Sequence, residues 1–191
     1  MNQEEKNQSA ADTFGMMLFL ASLTMLFLAM MVGYVIIRCT GQYSPPLHTI
    51  ALPRLLWVSS LVVVCLSIAI QFALIRVRQD RQPCLVRALT FSLLLAIAFM
   101  AVQIPALQQL LANHAQVKTS KLHLYGLMFA VVVLHAIHVV GGVIPLVVTL
   151  VHARQQRYSA LNHSGVKHLV MYWHFLGIAW FALFAMLLIL G

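Results

Sequence analysis

From Phe14 to Ile37 the chain carries no charged side chain, and four further stretches repeat the pattern: Leu55–Ile75, Ala88–Leu110, Leu122–Val151 and His168–Leu190. Crossing the hydrocarbon of a bilayer takes about 20 residues of helix, and each stretch is long enough. Inside lipid no water satisfies the backbone, so only helices or closed barrels can span, and barrel strands would alternate in polarity. These runs do not alternate. The sequence therefore predicts an all-α polytopic membrane protein: one bundle of five transmembrane helices, a single domain over residues 1–191.

Charge supports this. Of 191 residues only 8% are charged, where a soluble domain carries about a quarter. The four carboxylates, Glu4, Glu5, Asp12 and Asp80, all lie outside the apolar runs, as do the basic residues. The net charge of +8 therefore belongs to loops facing phospholipid headgroups, and nucleic acid is not an expected partner. Cys39, Cys65 and Cys84 are widely spaced and form neither a disulfide framework nor a CxxC pair. The polar, acidic start lacks the basic region of a signal peptide, so the first run is expected to stay as a membrane helix.

Basic residues also orient the chain. Lys6, Arg76, Arg78, Arg81, Arg87, Arg154, Arg157 and Lys167 fall on one side, and Arg38, Arg54, Lys118 and Lys121 on the other. The positive-inside rule then places the N-terminus in the cytoplasm and the C-terminus outside. On the same rule the loop "HARQQRYSALNHSGVKH" is an ordinary cytoplasmic loop rather than a dedicated docking patch. Met16, Met17, Met25, Met30 and Met31 are read as apolar filling, not as a copper site.

The chemistry-bearing residues are the intramembrane histidines. "LHAIHVVGG" places His135 and His138 about 60° apart on one helix face, with Gly142 one turn on. "MYWHFLGIAW" adds His174 beside Trp173 and Trp180. Ionisable groups at such depth face the protein interior and find partners. Metal or haem ligation needs further donors, and no cysteine or carboxylate shares these runs; only His174 opposite His135 or His138 offers an axial pair. Proton relays in membranes use acids, which the runs lack. The plainest expectation is neutral histidines hydrogen-bonded across helices, with Gly126, Gly141 and Gly142 letting another helix, or a partner subunit, approach the fourth helix closely.

"LHAIHVVGGVI" followed by "YWHFLGIAW" resembles the C-terminal signature of subunit III of haem-copper respiratory oxidases, in its short five-helix bacterial form. The matching positions are His135, His138, Val139 and Gly142, then Trp173, His174, Phe175 and Trp180. "FGMMLFLASLTMLF" and "LPRLLWVSS" are similar to the family's first two shared helices. The resemblance implies a non-catalytic subunit of the bacterial plasma membrane with no haem or copper of its own. It implies packing against catalytic subunit I and other oxidase subunits in aerobic electron transport, with phospholipid held between helices. The motif residues, including Phe175, are then packing and lipid-cleft residues, and no catalytic, cofactor or metal ligand is expected in this chain.

The chain also departs from that pattern. Where the family commonly has carboxylates, it has Leu23 or a neighbour, Gln103, Lys167 and Gly177. Glutamine keeps a hydrogen bond but holds no titrating charge, which weakens any implied proton-buffering role. Two other identities remain open from the residues: an accessory protein of a nitric oxide reductase, and a small bis-histidine membrane cytochrome.

Overall fold

The computed structural model describes residues 3–40, 55–115, 122–160 and 162–190. They form five helices: α1 (Gln3–Cys39), α2 (Leu55–Arg78), α3 (Gln82–Ala115), α4 (Leu122–Arg154) and α5 (Ser164–Leu190). Each contains a stretch long and apolar enough to cross a membrane. The loop between the first two runs, residues 41–54, lies outside the described residues.

The helices reach past the apolar runs. α1 begins at Gln3 rather than Phe14, α3 at Gln82 rather than Ala88, and α5 at Ser164 rather than His168. Hydropathy marks where lipid begins, whereas helical hydrogen bonding continues into the polar interface until a turn stops it. Two such stops are visible. Arg81 N–H bonds to Arg76 C=O and Asp80 N–H to Val77 C=O at the end of α2; Arg157 N–H bonds to His152 C=O and Gln156 N–H to Ala153 C=O at the end of α4. Both are Schellman motifs, and their left-handed residues are Asp80 and Gln156, each with φ of 53°. The two turns are tied together. Asp80 Oδ1 accepts from Ala160 N–H at 2.6 Å. Gln82 Nε2 donates to the Tyr158 carbonyl.

α2, α3, α4 and α5 form an antiparallel ring, each touching the next, and α1 lies outside it against α4 and α5 alone among the described residues. α5 is the hub. Of its most apolar stretch 56% is buried, against 17% for α1. The bundle is lined by Val63, Leu66, Ile70, Leu89, Leu146 and Trp180, among others. A second cluster, built on Phe27, Tyr34, Val131 and Leu183, joins α1 to α4 and α5. Large apolar side chains such as Met25, Ile144, Ile178 and Ile189 point outward, as lipid allows.

Two glycines set how close α5 comes. A Cβ on Gly142 would lie 2.6 Å from the Tyr172 ring, and one on Gly177 would lie 3.3 Å from Ser67 Oγ and 3.4 Å from Val63. Without strong hydrophobic attraction between helices in lipid, such close backbone approach supplies the packing energy. Gly142 therefore serves an internal contact between α4 and α5. The expectation that it faces a partner subunit is corrected: its face is covered by the chain's own Tyr172 and Leu176.

Two outcomes test these features. Gly142→Leu is expected to lower stability by about 1–3 kcal/mol through overpacking, read as a lower thermal midpoint in detergent, whereas Gly141→Ala, whose Cβ would meet nothing nearer than 3.9 Å, leaves it unchanged or raised. Gln156→Gly removes a left-handed strain of about 1 kcal/mol and is expected to raise the midpoint.

Candidate functional site

The three histidines that sequence singles out do not converge on one centre. They are distributed along the two faces that α5 presents to α4 and α2. His135 is buried to 2% exposure on α4. Its ring sits in an aromatic cage, with Trp180 at 5.5 Å and Phe27 and Phe99 each at 6.2 Å between centroids. One turn on, His138 is only half-buried. Its Nδ1–H donates to the Leu134 carbonyl of its own helix at 2.8 Å, and its ring lies 5.4 Å from Phe27. Tyr172 O–H then donates to the His138 carbonyl at 2.8 Å, bridging α5 to α4.

His174 faces the other way. Its Nε2 pairs with Gln71 Oε1 of α2 at 3.1 Å, beside a lipid-facing groove of about 310 Å³. A further 3.1 Å bond runs from Trp180 Nε1–H to Ser60 Oγ on α2. Trp57 and Phe184 close the same seam edge to face at 5.1 Å. Phe175 packs against Phe27 of α1 at 6.2 Å. Trp173 is buried among the core residues. Of the three histidines, then, only His174 makes, among the described residues, the cross-helix side-chain bond expected of all three. His135 relies on packing, and His138 bonds along its own helix.

The positions of missing acids are informative. Leu23 is buried in the core. Gly177 lies in the tight α2–α5 contact, where any side chain would press on Ser67 and Val63. Lys167 reaches across to α1, donating to Thr13 Oγ1 at 3.4 Å, and His168 meets the same hydroxyl at 3.4 Å. Gln103 is half-buried in α3, one turn beyond Phe99 and two residues before Pro105.

Several contributors escaped the sequence-based analysis: Tyr172, Phe27, Phe99 and the α2 partners Ser60, Ser67 and Gln71. A signal existed for the last three. They recur at intervals of seven and four, which places them on one face of α2. Nothing distinguished Phe27 or Phe99 from the other apolar residues.

A groove of about 460 Å³ opens between α1, α4 and α5, lined by Met16, Phe19, His138, Pro145, His168 and Tyr172, among others. Its lining is mostly apolar, and His168 in that lining meets the Thr13 hydroxyl to which its neighbour Lys167 donates. Among the described residues no three His, Cys, Asp or Glu side chains come together as a metal site would need.

Fold and site thus define a polytopic α-helical membrane protein in which several polar side chains join one helix to another. The chain belongs to the cytochrome c oxidase subunit III family, whose model matches residues 5–191. It is similar to cytochrome c oxidase subunit 3 of Synechocystis, with 26% identity covering 93% of this chain and 75% of the relative. It is also similar to cytochrome bo(3) ubiquinol oxidase subunit 3 of Pseudomonas putida, at 24% identity over 93% of this chain and 84% of that protein. Cytochrome c oxidase subunit 3 of Corynebacterium diphtheriae matches at 22% identity over 93% of this chain and 87% of the relative. Nothing favours the nitric oxide reductase or bis-histidine alternatives.

Ser60→Ala is expected to cost about 1–3 kcal/mol by leaving the buried Trp180 N–H without its acceptor. The same change made on a Trp180→Phe background costs clearly less, and thermal unfolding of both pairs checks it.

Proposed function

We propose that this subunit III acts as one five-helix unit that docks beside catalytic subunit I of a haem-copper terminal oxidase in a bacterial plasma membrane. It stabilises that partner in aerobic electron transport and leaves haem, copper and oxygen chemistry to it. The observation that carries this is the family match along nearly the whole chain, combined with five membrane-crossing helices. Relatives named for both cytochrome c and ubiquinol oxidases fit a subunit whose work is indifferent to the electron donor. The end bearing eight of the twelve basic residues, with the clasped turns after α2 and α4, is then cytoplasmic.

We further assign a phospholipid to the groove between α1, α4 and α5. Apolar walls from Phe19, Ile137 and Leu169 suit an acyl chain, and Lys167 at the same end as His168 suits an anionic headgroup. Gly141 lines the groove and has nothing within 3.9 Å of its Cβ position, so a large side chain there would occupy the lipid's space.

Affinity purification of the tagged chain from native membrane is expected to bring down a large haem-bearing subunit, while the separated chain shows no Soret band. A Soret band that stays with the isolated chain and vanishes in His174→Ala would overturn the accessory role. Gly141→Phe is expected to lower the phospholipid content of the purified complex, measured by mass spectrometry, without preventing assembly. An unchanged lipid count would remove the groove as the binding place.

A further inference from the structure

Between α2, α3, α4 and α5 lies a small space of about 10 Å³. Leu66, Phe99 and Val139 supply apolar wall, and three polar side chains from different helices line the same space: Ser67 from α2, His135 from α4 and Trp173 from α5. His135 Nδ1 and Trp173 Nε1 are both buried, and among the described residues neither has a hydrogen-bond partner. The two residues are 2% and 3% exposed. Ser67 Oγ belongs to the same wall, 3.3 Å from where a Cβ on Gly177 would stand.

The chemistry of these three groups is complementary. Indole Nε1–H can only donate, imidazole Nδ1 accepts when the proton sits on Nε2, and a hydroxyl does either. Buried polar groups in proteins almost always find a partner, and the low dielectric of a bilayer-embedded core makes an orphan costly. A space of about 10–15 Å³ holds one water, provided two to four polar groups surround it. An apolar guest would fit neither the volume nor the three polar groups.

We propose that this space is a binding site for a single water molecule that ties α2, α4 and α5 together in the middle of the membrane. The water accepts from Trp173 Nε1–H and donates to His135 Nδ1 and Ser67 Oγ. It thereby places the His135 proton on Nε2 and completes the aromatic cage around that ring. The role is structural: the bound water supplies the cross-helix hydrogen bond that His135 does not make with another side chain.

A structure of the intact oxidase complex at a resolution that reveals ordered waters tests the site directly. The expected result is one density peak about 2.7–3.2 Å from both His135 Nδ1 and Trp173 Nε1. A featureless cavity, or a protein group bonded to either nitrogen, overturns the proposal. A thermal double-mutant cycle on the same complex gives an independent measure. His135→Phe and Trp173→Phe are each expected to lower the midpoint by several degrees, and the double variant by clearly less than their sum, because one shared molecule is lost in each case. Strictly additive losses would overturn it as well.

Discussion

The close approach of α5 to α2 and α4 is the constraint on which the bundle depends. In water, apolar helices would be pressed together by solvent; in lipid they must be held by fit. Gly142 of α4 and Gly177 of α5 provide that fit, by letting Tyr172 and Leu176 lie against α4 and letting α2 come within contact of α5. The aromatic side chains between them then interlock. Trp180 touches His135 on one side and bonds Ser60 on the other, so a single residue links both seams.

Polar groups are scarce in this chain, and their use follows from that scarcity. Among the described residues three side-chain hydrogen bonds inside the membrane join one helix to another, Tyr172 to the His138 carbonyl, His174 to Gln71 and Trp180 to Ser60, while His138, Thr24, Ser60 and Ser92 bond to carbonyls of their own helices. At the basic end a different chemistry takes over. Two left-handed helix caps face each other there, and the carboxylate of Asp80 holds the α4–α5 turn in place. Acids that commonly mark this family are replaced by residues with other physical duties. Leu23 fills core, Gly177 permits contact, and Lys167 reaches to Thr13. A protein built this way is suited to holding a shape beside a redox partner.

The five helices and the family signature were legible in the residues, because lipid leaves a chain with long apolar runs few alternatives and because the spacing of His135, His138, Gly142, Trp173, His174 and Trp180 is distinctive. Helix ends were less legible: the hydrogen bonds that close α2 and α4 lie in polar segments that hydropathy ignores. The partners of the histidines were less legible still. His135 and His138 share a helix face within about 60°, yet one is caged at the core and the other lies at the groove.

Hydropathy and motif spacing alone thus dictated that the chain crosses the membrane five times and which family it joins. Which side of each helix turns inward was decided only by assembly. A helix that is apolar all round carries no stripe to mark its buried face, so its neighbours choose it. That is why Gly142 meets the chain's own Tyr172 rather than another subunit, and why His174 turns to Gln71 and away from the two histidines of α4.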